Sequence, residues 1–177
     1  MRDNFLLHDL ISRTASAIPD APALVKGRHT LSYGELQQQV ASFANGLLAL
    51  GLKRGERVAI YLEKRFETVV ASFGAPAAGG VFVPLNPLLK PEQVGYILRD
   101  CNVRVLVTSP ERLALLQNTL PECHDLRHLV VVDSNGALPG LERLNIVHWG
   151  ELLNQPSKQA HRVIDSDMVG ILYTSGS

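Results

Sequence analysis

The residues best suited to chemistry are Tyr173-Thr174-Ser175-Gly176-Ser177, which follow the apolar run Val169-Gly170-Ile171-Leu172. Hydroxyls and backbone N–H groups beside a glycine approach anionic oxygens closely, so a buried strand running into such a string reads as the front half of a phosphate-binding loop. The chemistry on offer is hydrogen bonding to phosphate, not acid–base catalysis. These residue types are also common turn formers, and an ordinary turn is the competing reading of the string taken alone. Cys123-His124-Asp125-Leu126-Arg127-His128 is a second group with ligand-type side chains. A structural zinc site needs four ligands at recurring spacings, and with no CxxC pair the segment reads as a connecting loop. Cys101 and Cys123 read as reduced, packed thiols. The histidines, at 8, 29, 124, 128, 148 and 161, are too scattered to assign a catalytic role.

Strands and helices must position the terminal string. Phe5, Leu6, Leu10, Ile11 and Ile18 recur at near-helical spacing behind Asp3 and Asn4, which predicts a helix over 5–18 that stops before Pro19. Ala23-Leu24-Val25 and Thr30-Leu31 flank Lys26-Gly27-Arg28, a hairpin signature with glycine in the turn. Ser32 and Glu35 form a Ser-x-x-Glu capping box. The helix it opens carries the stripe Leu36, Val40, Phe43, Leu47, Leu50 and ends at Gly51, where a left-handed residue is wanted. Short β-branched runs then recur at 58–60, 81–83, 103–107, 129–132 and 169–172. Helical patterns lie between them, notably Phe66, Val69, Val70, Phe73 and a segment opening on Pro91. Near-continuous apolar strands alternating with helices predict an α/β fold, a mostly parallel sheet covered by helices on both faces. Pro76 falls inside one helical pattern and predicts a kink or an early stop there. Residues 133–162 read as the loosest stretch, with Trp149 packing the start of a short helix around Glu151 to Leu153.

Composition narrows the function classes. The chain has 177 residues, with 17 basic and 17 acidic side chains in balance, so no excess charge points to nucleic acid or an anionic membrane. Only 19% of residues are charged, against about 25% in ordinary soluble domains, which suggests that some of this surface is normally covered by further chain. No apolar run reaches the roughly 18 residues of a membrane helix, and His8 and Asp9 interrupt any signal-peptide core, so the expectation is a cytoplasmic protein without a transmembrane segment. GxGxxG is absent after every predicted strand and GxxxxGK[ST] is absent altogether, which removes the nicotinamide and Walker-type readings.

Three stretches, in order and suitably spaced, carry a resemblance that extends from about Leu7 to Ser177. They are Leu31-Ser32-Tyr33-Gly34-Glu35-Leu36 with Gly51-Leu52-Lys53-Arg54-Gly55-Glu56-Arg57-Val58-Ala59-Ile60, then Ala78-Gly79-Gly80-Val81-Phe82-Val83-Pro84-Leu85-Asn86-Pro87, and finally Leu172-Tyr173-Thr174-Ser175-Gly176-Ser177. Together they resemble the N-terminal portion of the AMP-forming adenylating superfamily, which includes acyl-CoA synthetases, peptide-synthetase adenylation domains and beetle luciferases. The first two stretches are structural, since a capping box, turn glycines and a strand-ending proline explain them without a ligand.

The resemblance implies that residues 1–177 are an incomplete N-terminal portion of an AMP-binding large domain. It implies a reaction in which a carboxylic acid attacks the α-phosphate of ATP, pyrophosphate leaves with Mg²⁺, and the acyl-adenylate is passed to a thiol, often coenzyme A. Thr174, Ser175, Gly176 and Ser177 would then open the loop around the β- and γ-phosphates. The family loop continues Thr-Gly-x-Pro-Lys-Gly, so its lysine, the adenine slot, the acid pocket and the catalytic lysine are expected beyond Ser177. No catalytic residue and no metal ligand is expected within this stretch, and the stretch alone is expected to be inactive, without bound cofactor, and to self-associate. Asn86-Pro87-Leu88-Leu89-Lys90-Pro91-Glu92 is nearer to acyl-CoA synthetases than to peptide-synthetase domains, which tend to Asp-Pro-x-Tyr-Pro here. A peptide-synthetase-type adenylation domain and a noncatalytic α/β binding or assembly module stay open as alternatives.

Overall fold

The computed structural model describes residues 6–134 and 141–174. Helix α1 (Asp9–Ala17) leads into an antiparallel hairpin of β1 (Pro22–Lys26) and β2 (His29–Ser32). The turn between them needs the positive φ of Gly27, +62°. The helix starts later than the apolar spacing predicts, at Asp9 behind His8, and the expected caps Asp3 and Asn4 lie outside the described residues.

Helix α2 (Tyr33–Ala49) begins where the capping box places it. Glu35 N–H donates to Ser32 Oγ at 3.2 Å, and Ser32 N–H donates to Glu35 Oε2 at 2.8 Å. Its far end is a Schellman motif on Gly51: Gly51 N–H donates to the Leu48 carbonyl at 3.0 Å and Leu52 N–H to the Leu47 carbonyl at 3.1 Å. Leu36, Val40, Phe43 and Leu47 of the predicted stripe are buried, each worth about 1.5–3 kcal/mol as an upper estimate.

Five strands follow: β3 (Arg57–Tyr61), β4 (Val81–Pro84), β5 (Val103–Thr108), β6 (His128–Val131) and β7 (Asn145–His148). They form one sheet in the order β4-β3-β5-β6-β7, with every neighbouring pair parallel. The crossovers are α3 (Phe66–Ala77), α4 (Pro91–Asp100) and α5 (Pro110–Leu116), the last followed by a 3₁₀ turn, Leu120–Glu122; α6 (Trp149–Leu153) follows β7. Val58, Ile60, Val105 and Val107 face a core closed by α2, α3 and α6. Ala59, Tyr61, Leu106 and Leu129 face the other core, under α4 and α5. The predicted doubly covered α/β sheet is therefore the fold.

Helix α3 stops one residue after Pro76, which removes one donor from its last turn. A second Schellman motif closes it, with Gly79 N–H on the Pro76 carbonyl at 2.9 Å and Gly80 N–H on the Ala75 carbonyl at 2.8 Å. Two expectations are corrected. The run Val169 to Leu172 is not a buried strand: it makes a single parallel bridge, Gly170 beside Phe82, and Val169 and Leu172 are 39% and 71% exposed. Among the described residues nothing covers its outer side, and a parallel strand is stable only when both faces are covered. Conversely, Asn145–His148 forms the edge strand β7 inside the stretch read as loosest, because Ile146 and Val147 find cover on the two faces of β6's extension.

Glycines set the closeness of helix packing. A Cβ at Gly46 of α2 would stand 2.5 Å from both Cγ and the carbonyl oxygen of Leu152 in α6, whereas a Cβ at Gly150 would meet nothing within 4 Å. Gly46→Ala is expected to lose about 1–3 kcal/mol of stability through overpacking, despite alanine's better helix propensity. Gly150→Ala is expected to be neutral or to gain up to about 1 kcal/mol. Urea unfolding of the two variants checks the contrast.

Burial lowers the pKa of His8 and His128, opposed at His8 by Asp9 and assisted at His128 by Arg127. Asn145 Nδ2 lies 3.2 Å from His128 Nδ1, a contact that requires that ring nitrogen to be unprotonated. Because the folded pKa values lie below the unfolded ones, the unfolded chain binds more protons near pH 6. Their contribution to stability is full above about pH 6.5 and is lost as pH falls below it. Unfolding midpoints are thus expected to drop between pH 7.5 and 5.5, and the drop is expected to shrink in His8→Asn/His128→Asn.

Candidate functional site

In an open parallel sheet, ligands bind outside the carboxyl ends of the strands, most often where successive crossovers leave in opposite directions. Here β3 connects to β4 on one side and β4 connects back to β5 on the other, so the switch lies between β3 and β5. Charged side chains that follow these strands pair with one another there. Arg65, just after β3, donates to Glu67 Oε2 at 2.7 Å and Oε1 at 3.0 Å, and to Asp133 Oδ2 at 2.6 Å and Oδ1 at 3.0 Å. The guanidinium holds the Asp133 carboxyl below the usual carboxylate range. Arg112 of α5 donates to Glu63 Oε1 at 2.8 Å and to the Pro87 carbonyl at 2.6 Å, and stacks 4.9 Å over the Tyr61 ring. Tyr61 in turn donates to the Leu89 carbonyl at 3.0 Å. Arg112 and Tyr61 therefore fasten the loop after β4 to the middle of the sheet.

That loop forms one wall of a cleft of about 500 Å³ at the carboxyl end of β4. Pro84, Asn86 and Leu89 line it from the loop, Glu92, Gln93, Tyr96 and Ile97 from α4, and Tyr173 and Thr174 from the opposite side. An Asx turn shapes the loop, with Asn86 Oδ1 accepting from Leu88 N–H at 2.9 Å. Gln93 Oε1 accepts from Lys90 N–H at 3.0 Å, which fixes the start of α4 behind Pro91. Of the four residues read from the sequence as a phosphate loop, Thr174 lines this cleft; Ser175, Gly176 and Ser177 lie outside the described residues. No Lys or Arg is among the described residues that line it.

The approach to Thr174 is held at two points. Phe82 N–H donates to the Val169 carbonyl at 2.9 Å and Ile171 N–H to the Phe82 carbonyl at 3.0 Å, which aligns the segment parallel to β4. Gly170 lies on the Phe82 ring, where a Cβ would come within 2.8 Å of Cε1. Three residues after Gly170, the Tyr173 hydroxyl donates to Asp100 Oδ2 and lies 3.2 Å from Cys101 Sγ. Burial, followed by these two hydrogen bonds, raises the phenol pKa, so Tyr173 stays a donor through the physiological range. Nothing in the sequence signals this pairing, since Tyr173 and Asp100 are 73 positions apart.

A larger cleft, about 870 Å³, lies at the opposite, amino end of β3 and β4. Its two arginines are committed to the protein: Arg54 to Asp167 at 2.5 Å, and Arg57 to the carbonyls of Gly55 and Asn102, each at 3.0 Å, and to that of Cys101. Size alone would select this cleft, but it lies at the wrong end of the sheet for the terminal string. Cys101 and Cys123 are free and buried, and burial raises the Cys123 thiol pKa. Asp125, in the ligand-rich segment, is held by Arg104, which also donates to Glu56 at 3.1 Å.

Comparison with known proteins agrees with the fold. Residues 11–177 match the family model described as AMP-binding enzyme. A medium/long-chain-fatty-acid–CoA/3-oxocholest-4-en-26-oate–CoA ligase of Mycolicibacterium smegmatis is 29% identical over 96% of this chain, which covers 31% of that protein. Tyrocidine synthase 1 of Brevibacillus parabrevis is 30% identical over 97% of this chain and 14% of its own length. Among solved structures, the anthranilate CoA ligase AuaEII in complex with anthranoyl-AMP superposes with a TM-score of 0.86 at 27% identity, over 99% of this chain and 33% of that one. The chain thus spans about a third or less of these relatives. A parallel sheet wound in this order and a family match across nearly the whole length lead to one assignment: the chain belongs to the AMP-binding enzyme family.

Proposed function

We propose that the chain is the N-terminal part of an ATP-dependent, AMP-forming acyl-CoA ligase. The whole enzyme would join a carboxylic acid to AMP with loss of pyrophosphate and pass the acyl group to the thiol of coenzyme A, in the cytoplasm, where both cosubstrates are available. The observation that carries this reading is Thr174 in the cleft at the carboxyl end of β4, at the head of the Thr174-Ser175-Gly176-Ser177 string.

These residues suit a triphosphate as donors. A hydroxyl and amides beside a glycine can approach phosphate oxygens closely and be held there before the reaction, so their contribution is positioning and charge stabilisation. Mg²⁺ arriving with ATP would supply positive charge that the described cleft walls lack. The remaining sequence of the longer protein is expected to supply a loop lysine and the acid pocket. The Asn86-Pro87 stretch favours an acyl-CoA ligase over a peptide-synthetase adenylation domain. The relatives include both kinds, and transfer of the acyl group to free coenzyme A rather than to a carrier-protein thiol separates them.

In the full-length protein, Thr174→Ala and Ser177→Ala are expected to slow acid-dependent pyrophosphate exchange about 10- to 150-fold. A hydrogen bond to a charged group is worth about 1.5–3 kcal/mol if made fully in the transition state. Thioester formation from supplied acyl-adenylate is expected to change far less, because the phosphates these residues would contact have left. Equal loss in both half-reactions contradicts the assignment, and absence of exchange with any acid favours a noncatalytic module. The 177-residue chain alone is expected to support no exchange.

We also propose that this isolated chain self-associates through the outer side of the 168–172 segment. Met168 and Leu172 are 63% and 71% exposed there, and the unpaired side of an extended segment is a template for edge pairing. Zero net charge offers little repulsion. Sedimentation equilibrium at micromolar concentration is expected to give a mass above 19.3 kDa, and a clean monomer contradicts it.

A further inference from the structure

Asp100 is the last residue of α4, and its position calls for an explanation. A carboxylate at a helix C-terminus opposes the helix dipole, so helix stability does not account for it. Its oxygen accepts the Tyr173 hydroxyl, and Tyr173 immediately precedes Thr174. The other end of the same helix, at Glu92, Gln93 and Tyr96, walls the cleft that Thr174 lines. One rigid ten-residue helix thus carries both a wall of the cleft and the anchor for the chain that enters it.

The main-chain bridge at Gly170 fixes the direction of the incoming segment but leaves three residues to Thr174. Ile171 is tied to Phe82, whereas Leu172 is 71% exposed. The next fixed point is the Tyr173 ring, held between Asp100 and Cys101, with the smaller cleft on one side and the amino-end cleft on the other. Without that anchor, rotation about the backbone at 172–173 is opposed only by solvent-exposed contacts, and Thr174 loses its fixed place.

We propose that Asp100 is a positioning residue for the phosphate site: acting through the Tyr173 hydroxyl, it holds Thr174 in the cleft walled by the other end of α4, where a polyphosphate would be met. This rests on the acyl-CoA ligase reading for its ligand, though the tether itself is a property of the chain. Pre-ordering a loop lowers the entropic cost of binding, so its loss weakens capture of ATP more than steps after pyrophosphate has left.

The test compares Tyr173→Phe, Asp100→Ala, Asp100→Asn and the double variant Tyr173→Phe/Asp100→Ala with wild type in the full-length protein. Two readouts are taken: amide hydrogen exchange over residues 169–174 and ATP dependence of pyrophosphate exchange. Tyr173→Phe removes one oxygen and keeps the ring, so it tests the tether without deleting a packed side chain. Tyr173→Phe and Asp100→Ala are each expected to speed amide exchange at Ile171 and Thr174, and to raise KM for ATP about tenfold, the size of one lost hydrogen bond. The kcat for thioester formation from supplied acyl-adenylate is expected to stay within about twofold, given that tenfold scale. The double variant is expected to be no worse than either single one, and Asp100→Asn, which retains an acceptor oxygen, to recover part of the loss. Unchanged amide exchange in both single variants overturns the tether. Faster exchange with unchanged KM for ATP overturns its role in phosphate positioning, and additive losses overturn the claim that Asp100 acts through Tyr173. Wild-type protein that shows no pyrophosphate exchange with any acid overturns the ligase reading, and with it the assignment of ATP as ligand. The amide-exchange readout still decides whether Asp100 holds the loop.

Discussion

The structure depends on a requirement imposed on five residues, Arg57–Tyr61. As the first strand of a parallel sheet, β3 is paired on both sides, by β4 and β5, and its side chains alternate into both cores. Apolar side chains on both faces must be kept from water, so helices close both surfaces. Helix α3 returns the chain on one face and α4 on the other, which aligns all the carboxyl ends at one edge. The position of the cleft follows from this winding. Most charged side chains lie where the strands begin and end, because the middle of the sheet is packed mainly with apolar side chains.

Helix endings transmit this constraint to the loops. Gly51 and Gly79 both close a helix with a left-handed residue, at φ +83° and +80°, and both lie at the amino end of the sheet. The turn before β3 places Gly55 N–H on the Gly79 carbonyl at 2.8 Å, joining the two chain reversals. His161 lies against Gly79, and its Nε2 is 2.8 Å from the Leu52 carbonyl, so the segment returning toward residue 170 is seated on the same two reversals. The amino end is thereby an anchoring surface. Its arginines bond to main-chain carbonyls and to Asp167.

At the carboxyl edge, Arg65 and Arg112 form a frame around the cleft without lining it. Arg65 and Arg112 are neutralised by Glu67, Asp133 and Glu63, and through Pro87 and Leu89 the frame stiffens the wall opposite Thr174. Such a cleft has donors and shape but little free positive charge.

The local pattern of the sequence determined the elements whose causes are local. The Ser32–Glu35 box, the α2 stripe, Gly51 at its end, Pro91 at the start of α4 and the early stop at Pro76 were all readable because each acts within about one helical turn. The doubly covered parallel sheet was readable for a related reason, since strands buried on both faces leave continuous apolar runs. The sequence also placed hydroxyls and a glycine after residue 172, though for Ser175, Gly176 and Ser177 it is the whole basis of the assignment. Tertiary structure alone decided that Asn145–His148 joins the sheet and that Val169–Leu172 does not, because a β-branched run becomes a strand only when a partner edge and a cover meet it. It also decided the contacts of Arg112 with Pro87 and of Tyr173 with Asp100, 25 and 73 positions apart. No periodicity encodes such pairs; they exist because the winding of the sheet brings distant ends to one edge.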